Sequence, residues 1–206
     1  MINIDEVQEI LKKDLNFSDI DLQKLTIFND EILKLKKKYN LIGKSTEKEL
    51  WHRHFLDCAQ LVNFIDFSKD NSLADLGTGA GLPGIVLAIF NKNPNFHVKL
   101  YEKSIIKCNF LRKTIKKLNI KCNLYENDYR SHIINTNYIV CRAFKKLEES
   151  IRISREIAKK PHKLIILKGK SAQDEIKKAS KQMIYKYRLN DSMTDKKSKI
   201  LIIDVK

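Results

Sequence analysis

The segment Leu73-Ala-Asp-Leu-Gly-Thr-Gly-Ala-Gly-Leu-Pro-Gly84 decides the fold of this chain. It begins with a short apolar run that is typical of a buried strand, and the residues after it have the apolar spacing of a helix. Four of the chain's six glycines lie between positions 77 and 84. A glycine-rich turn between a strand and a helix lets the backbone approach a ligand closely. Because no Lys-Ser or Lys-Thr pair follows, the segment is not a P-loop.

Two acidic residues beside this loop indicate which ligand it holds. Asp75 precedes the first glycine, where its carboxylate can attract a cationic group or fix the turn, whereas a dinucleotide-binding fold more often has an apolar residue there. Glu102 ends the next predicted strand, and an acid at that position is suited to accept both hydroxyl groups of a ribose. Together the two acids favour S-adenosylmethionine over NAD.

From Ser72 onward, short apolar runs alternate with amphipathic segments. Such alternation predicts parallel strands joined by right-handed crossovers, and hence an α/β fold with a doubly wound, Rossmann-like sheet. The predicted strands are 72–76, 97–101, 121–125, 137–141 and 163–167, and the predicted helices are about 82–92, 104–118, 145–160 and 171–183. The segments 184–189 and 199–205 have no helix between them, which predicts an antiparallel C-terminal hairpin at one edge of the sheet.

The first 70 residues predict helices. Ser18 is suited to be an N-cap, and Thr46-Glu-Lys-Glu49 has the form of a capping box. Two apolar stripes with helical spacing accompany these caps. The first consists of Leu25, Phe28, Ile32, Leu35 and Tyr39, and the second of Trp51, Phe55, Cys58, Val62 and Ile65. We therefore expect a helical N-terminal cap over residues 1–70 and a Rossmann-like domain over 71–206, which together form one compact unit.

The formal net charge of +15 is unevenly distributed along the chain. Residues 1–70 hold 11 Lys and Arg against 13 Asp and Glu, whereas residues 71–206 hold 29 against 12. A positive field pooled on one part of the chain is what a phosphate-backbone partner requires. Only seven of the 40 cations are Arg, so biased codon usage is an equally good explanation of the total.

Several function classes are excluded by simple patterns. The longest apolar run, 85–90, is far shorter than the about 18 residues of a membrane span, and the N-terminus lacks the pattern of a secretory signal. The four cysteines show no metal-ligand or disulfide spacing. We expect a cytoplasmic protein that uses neither a membrane nor a metal.

Several short motifs outside the glycine loop carry a resemblance to a known family. They are Asn40-Leu-Ile-Gly43, Arg53-His-Phe-Leu-Asp57, Glu102-Lys-Ser104 with Lys107 and Phe110-Leu111, Cys141-Arg-Ala-Phe144, and Leu167-Lys-Gly169. From the cap to the last crossover, the chain resembles the small-subunit ribosomal RNA guanine-N7 methyltransferases, also called glucose-inhibited division protein B. The resemblance implies a class I S-adenosylmethionine-dependent methyltransferase fold, S-adenosylmethionine as donor, and a guanine of 16S ribosomal RNA or of the small subunit as acceptor. We expect the protein to act as a monomer.

The resemblance also implies roles for individual residues. Those expected to hold the cofactor are Asp75, Gly77, Gly79, Gly81, Leu82, Glu102, Asp128, Tyr129, Arg130 and Arg142. Those expected to face RNA are Asn40, Arg53, His54 and Lys107. The segment 127–132 departs from the family's pattern, so which of its residues meets the adenine stays open. Arg53 and Asp57 lie four residues apart on one predicted helix, a spacing at which they can pair.

The predicted chemistry depends on positioning. A guanine N7 presents a lone pair, so it accepts a methyl group without a general base, and we expect Arg142 and Lys168 to orient the guanine or its phosphate as catalytic residues. Arg142 can donate to O6 and leave N7 free. Two alternatives remain open. One is cytosine-C5 methylation with Cys141 as nucleophile, although a small buried residue is the more common role of such a cysteine. The other is a basic RNA-binding module without catalysis.

Overall fold

The computed structural model describes residues 3–36, 49–169, 172–180 and 186–206. Its helices are α1 (Ile4–Lys13), α2 (Asp19–Lys36), α3 (Asp57–Ala59), α4 (Gly84–Phe90), α5 (Ile105–Leu118), α6 (Leu147–Ile157) and α7 (Ala172–Ser180). Its strands are β1 (Ser72–Leu76), β2 (His97–Glu102), β3 (Asn123–Glu126), β4 (Tyr138–Arg142), β5 (His162–Lys168), β6 (Tyr187–Asp191) and β7 (Lys199–Val205). In this part of the chain, no helix is both long and apolar enough to cross a bilayer.

The seven strands form one sheet in the order β3-β2-β1-β4-β5-β7-β6. The strands from β3 to β5 run parallel, and β7 is antiparallel to both of its neighbours. The predicted doubly wound, mostly parallel sheet with an antiparallel hairpin is confirmed. Within the hairpin the later strand, β7, takes the inner position because it is apolar on both faces, whereas all five residues of β6 are exposed.

Several element boundaries differ from the predicted ones. The third strand begins at Asn123 rather than at 121, because Asn119 ends α5 in the left-handed conformation with φ 46° and the next residues leave the helix. Helix α6 spans 147–157 rather than 145–160, because Ala143, with φ 50°, turns the chain sharply after β4 and Ala158 ends the helix in an extended conformation. Neither difference moves a strand in the sheet.

The N-terminal part is helical where it is described. Ser18 caps α2, since its Oγ accepts a hydrogen bond from Asp21 N at 3.2 Å and its backbone N–H donates to Asp21 Oδ2 at 2.9 Å. The second predicted helix is one continuous helical segment that begins as a π-helix at Trp51–Leu56 and passes through α3 to a 3-10 helix at Gln60–Phe64. Thr46 of the predicted capping box and the residues Tyr39 and Asn40 lie in the stretch 37–48, which is outside the described residues.

Helices cover both faces of the sheet. Side chains of α1, α2, α4, α5 and the π-helix pack on one face, against residues such as Leu73, Val98 and Ile165. Helices α6 and α7 cover the other face, against alternate strand residues such as Ile139 and Leu164. Strand order reverses between β1 and β4, so the crevice outside their carboxyl ends is the place where such a sheet binds ligands.

Candidate active site

The turn of the glycine loop is held by a buried acidic residue, Asp75. Oδ2 of Asp75 accepts a hydrogen bond from Gly84 N at 2.8 Å and another from the hydroxyl of Thr78. The side chain of Asp75 is fully buried beneath the loop and does not line the cavity above it. Burial raises the pKa of its carboxyl group to about 7, against the opposing effect of these two hydrogen bonds. Of the two roles that the sequence allowed for Asp75, the structure places it where it fixes the turn.

Above the loop lies a cavity of about 710 Å³ at the carboxyl ends of β1, β4 and β5. Its walls come from four parts of the fold: the glycine loop, the ends of β4 and β5, the helical cap, and the loop between β6 and β7. The described residues that line it include Gly77, Gly79 and Leu82; Arg142, Phe144 and Lys168; Arg53, His54 and Asp57; and Thr194, Asp195 and Ser198. Lys107 and Glu175 also contribute to the wall.

The backbone of the loop has the shape that a ligand requires. Gly77 and Gly79 have φ of +66° and +62°, values that residues with a side chain rarely adopt. A Cβ placed on Gly79 would meet nothing closer than a backbone oxygen at 3.8 Å, so a ligand has room there. Gly81 does not line the cavity; it faces Ile85, and its position serves the packing of α4 against the loop.

Glu102 holds the loop from the neighbouring strand. Its Oε2 accepts a hydrogen bond from Gly79 N at 3.0 Å, and its Oε1 accepts one from Ser104 N at 2.9 Å. The side chain is buried. A carboxylate fixed in this way beside the loop retains lone pairs for further donors, such as ribose hydroxyls.

Arg142, at the end of β4, is held by three groups of the cap. Its Nε donates to Asp57 Oδ2 at 3.2 Å, its Nη1 to His54 Nδ1 at 2.7 Å, and its Nη2 to the carbonyl oxygen of Arg53 at 2.9 Å. Burial, together with the charges of Arg142 and Arg53, lowers the pKa of His54 to about 3. His54 is therefore neutral at physiological pH, and its Nδ1 is an acceptor for Arg142.

The expected pair of Arg53 and Asp57 is wrong. Arg53 Nε instead lies 3.4 Å from Glu49 Oε2, one helical turn earlier, and Asp57 is the partner of Arg142. The reason is a tertiary contact. The sheet brings the guanidinium group of Arg142 to the cap, where it donates hydrogen bonds to both the Asp57 carboxylate and the Arg53 carbonyl oxygen.

Lys168, at the end of β5, is also held in place. Its Nζ donates to Glu175 Oε2 at 2.7 Å and to the carbonyl oxygen of Lys145 at 2.9 Å. These contacts tie the strand end to α7 and to the turn after β4. Much of the charge of Lys168 is balanced by Glu175, so its ammonium presents an oriented donor to the cavity more than a net charge.

The structure brings most, but not all, of the predicted site residues to the cavity. Those that line it are Gly77, Gly79, Leu82, Arg142, Lys168, Arg53, His54 and Lys107, whereas Asp75, Gly81 and Glu102 support the loop without lining the cavity. The segment of Asp128, Tyr129 and Arg130 does not line it: Asp128 caps a 3-10 turn, Tyr129 packs edge-on against Phe144, and Arg130 lies over the Tyr129 ring. Asn40 lies outside the described residues.

Sequence reasoning missed one wall of the cavity. Thr194, Asp195 and Ser198 come from the loop between β6 and β7, and nothing in their spacing pointed to a site. Phe144 belongs to one of the family motifs without an expected role of its own, but its ring packs directly over Gly77. Among the described residues, no group of three or more His, Cys, Asp and Glu side chains could hold a metal ion.

Comparison with known proteins adds a family. The family model described as "GidB: rRNA small subunit methyltransferase G" matches residues 21–202. A protein of Rickettsia bellii (strain OSU 85-389) named "Ribosomal RNA small subunit methyltransferase G" is 37% identical over 182 residues, which cover 88% of this chain and 92% of the relative. A protein of the same name from Rickettsia typhi is 36% identical over 183 residues, which cover 89% and 93%.

Solved structures show a similar fold at low identity. The chain superposes on an S-adenosylmethionine-dependent methyltransferase from Aquifex aeolicus with a TM-score of 0.56 and 16% identity, over 85% of this chain and 97% of the other. It superposes on a mutant of MtNAS in complex with S-adenosylmethionine with a TM-score of 0.58 and 14% identity, over 100% and 85%. The fold is that of the class I S-adenosylmethionine-dependent methyltransferases.

Proposed function

The chain belongs to the rRNA small subunit methyltransferase G family, and on that premise we propose that it transfers a methyl group from S-adenosylmethionine to N7 of a guanine in 16S ribosomal RNA. The observation that carries the proposal is the position of Arg142, which is fixed at the carboxyl end of β4 and faces the cavity that the glycine loop also lines. The loop proposed to hold the methyl donor and the cation proposed to orient the acceptor thus line the same cavity.

The residues present fit the proposed cofactor. Gly79 leaves room above the loop, and the buried Glu102 is fixed beside it, at the strand end where a ribose is usually held. When bound, S-adenosylmethionine supplies a methyl group on a sulfonium, which a nitrogen lone pair can accept directly. We assign the ribose contact to Glu102 and the backbone approach to the glycine loop. Asp75 supports the loop from below, and Leu82 contributes an apolar wall.

The acceptor side is cationic. A guanidinium has five N–H donors, and the three described contacts of Arg142 leave one on each terminal nitrogen for a ligand. Donation to a guanine O6 orients the base and leaves N7 open. Lys168 adds a second oriented donor, while Arg53 and Lys107 on the rim are placed to meet RNA phosphates. No residue is required to remove a proton, in keeping with a His54 that is neutral and already bonded.

Cytosine-C5 methylation has less support. It needs a reactive thiolate, but Cys141 is buried within β4, does not line the cavity, and has a pKa that burial raises. An RNA-binding module without catalysis would have no use for a loop with three positive-φ glycines and room for a ligand. Both observations favour methyl transfer to guanine.

The experiment that tests the proposal is a methyl-transfer assay with radiolabelled S-adenosylmethionine, using purified 16S RNA and small ribosomal subunits in parallel. We expect one N7-methylguanine, mapped by cleavage at the modified base, and the comparison identifies the preferred substrate. A product on cytosine, or no product on either substrate, would overturn the proposal.

The role of Arg142 needs its own variant. We expect Arg142→Ala to lose at least about 100-fold in kcat, because misplacing a reactant by an ångström has effects of this size. Cofactor affinity, measured by calorimetry, verifies that the variant is folded and loaded. Unchanged transfer by a variant that still binds the cofactor would remove Arg142 from the mechanism.

A further inference from the structure

Asp57 joins three separate parts of the site. Its Oδ2 accepts the hydrogen bond of Arg142 Nε at 3.2 Å. Its Oδ1 accepts from Thr194 Oγ1 at 3.1 Å and from Gln60 Nε2 at 3.0 Å, and lies 3.3 Å from Ser192 Oγ. One carboxylate of the cap thus holds the end of β4 with one oxygen and the loop between β6 and β7 with the other.

Gln60 strengthens the attachment of that loop. Its Nε2 donates to Ser192 Oγ at 3.0 Å, and its Oε1 accepts from Met193 N at 2.8 Å. The side chain of Gln60 is almost fully buried. The loop therefore has a fixed position against the cap, and three of its residues, Thr194, Asp195 and Ser198, line the cavity that Arg142 faces.

The pairing also changes what Arg142 can do. Its side chain is only 21% exposed and that of Asp57 only 14%, so solvent screens their interaction less than that of a surface pair. With its charge largely balanced by Asp57, Arg142 attracts phosphate less strongly, and its remaining N–H groups are held in fixed directions. Such a group is suited to read a base edge.

From these contacts we propose that Asp57 is a positioning residue of the transfer reaction: it sets the orientation of Arg142 towards the acceptor base and couples that orientation to the loop between β6 and β7. The proposal rests on the proposed function, since it assigns Asp57 to the same site. Asp57 acts through Arg142 and does not itself take part in methyl transfer.

The first test is Asp57→Asn. An amide can keep an oxygen towards Gln60 and Thr194, but it then turns an N–H2 group towards the Arg142 donor, so the loop contact survives and the Arg142 contact is lost. We expect kcat for RNA methylation to fall at least about 10-fold. The dissociation constant of S-adenosylmethionine is expected to stay within about twofold, because the glycine loop and Glu102 are untouched.

Asp21→Asn is the matched control. Asp21 is a buried aspartate of the cap that pairs with Lys92 of the α/β part, but it lies away from the cavity. Replacing it therefore reports the general effect of breaking an ion pair of a buried carboxylate between the same two parts of the chain. We expect a lower melting temperature with kcat within about twofold of the wild-type value. An equal loss of kcat in both variants would reduce Asp57 to a structural role and overturn the proposal.

A second measurement does not depend on activity. The Nε–H resonance of Arg142, assigned by its absence in Arg142→Ala, is expected to be in slow exchange in the wild-type protein and in Asp21→Asn, and to be lost or strongly shifted in Asp57→Asn. An unchanged resonance in Asp57→Asn would overturn the proposal. The two proposals can also fail separately. If the resonance differs between the wild-type protein and Asp57→Asn, but the wild-type protein makes no N7-methylguanine, the proposed function is overturned and the contact between Asp57 and Arg142 is not.

Discussion

The backbone N–H of Gly84 donates a hydrogen bond to Oδ2 of Asp75 at 2.8 Å, which ties the first residue of α4 to the end of β1 beneath the glycine loop. The carboxyl group is fully buried, and its other oxygen has no hydrogen-bond partner among the described residues. An acid in such surroundings favours its protonated form. The loop that faces the cavity is therefore supported by a group that titrates near neutral pH.

Replacing Asp75 by Asn is expected to remove a pH dependence of stability. The pKa of Asp75 is about 7 in the folded protein and 3.8 as its ordinary value. Between these values the folded state binds more protons than the unfolded state, so the contribution of this group is fully present below about pH 4 and is lost as pH rises through 7. Relative to Asp75→Asn, the wild-type protein should lose on the order of 3 kcal/mol between pH 4.5 and pH 7.5. Urea unfolding at both pH values measures this difference, and parallel behaviour of the two proteins would contradict it.

The close packing of Gly84 predicts a strong effect of a single methyl group. A Cβ on Gly84 would overlap the Leu100 side chain and lie 2.8 Å from Oδ2 of Asp75. We expect Gly84→Ala to destabilise the protein by about 1–3 kcal/mol through overpacking. Gly169→Ala is the matched control, because no atom lies within 4 Å of its Cβ position, and it should stay within about 0.5 kcal/mol. Chemical denaturation compares the two; equal effects would mean that the packing at Gly84 can relax.

Cys141→Ala distinguishes guanine-N7 methylation, which needs no cysteine, from cytosine-C5 methylation, which needs a cysteine nucleophile. Because the thiol is buried and its pKa is raised, we expect kcat of this variant to stay within about threefold of the wild-type value. Removing the sulfur from the core should cost on the order of 1 kcal/mol of stability, visible as a lower urea midpoint. Abolished transfer in a folded variant would revive a nucleophilic role for this cysteine.

Glu102→Gln tests the cofactor side. Glu102 and Glu126 end neighbouring strands at paired positions, but Glu126 is half-exposed and pairs with Arg112, whereas Glu102 holds the glycine loop. We expect Glu102→Gln to weaken S-adenosylmethionine binding at least about 10-fold, or about 1.4 kcal/mol, because a charged acceptor for ribose is lost. Glu126→Gln should change the affinity less than about twofold. Titration calorimetry measures the affinity of both variants for S-adenosylmethionine. Similar affinities of the two variants would mean that Glu102 does not contact the ribose.

The basic charge predicts a dependence on salt. Residues 71–206 carry 29 Lys and Arg against 12 acids, and Arg53 and Lys107 lie on the wall of the cavity. If this charge meets phosphates, the logarithm of the RNA association constant should fall linearly with the logarithm of salt concentration. Lys107→Ala should reduce the slope by about one. A flat response would leave biased codon usage as the explanation of the excess lysine.

The order of elements was predictable because each local pattern agrees with the sheet. The apolar run at Leu73, the glycines after it and the acid at Glu102 each require only near neighbours along the chain, and all three occupy the positions that the sequence indicated. Arg142 and Lys168 were placed at strand ends for the same reason, and both line the cavity. Local pattern was sufficient there because strand ends of a parallel sheet converge at one edge.

The partners of those residues were not predictable. Asp57 lies 85 positions before Arg142 in the chain and 137 before Thr194, and no local rule selects such contacts. The helical spacing of Arg53 and Asp57 suggested a local pair, but Asp57 pairs instead with Arg142, whose guanidinium group comes from the end of β4. The role of Asp75 was similarly underdetermined, because only its burial decides between holding a ligand and holding the turn.

The inner position of β7 has a consequence for the order in which the protein assembles. In the described sheet β6 pairs with β7 and not with β5, although β6 is made first during synthesis. β6 and β7 can pair as a local hairpin as soon as both are made, but the loop between them, which carries Thr194, reaches its place beside Asp57 when β7 docks on β5. Completion of this wall of the cavity is thus coupled to the pairing of β7 with β5, whose partners lie 31 to 43 positions apart in the chain.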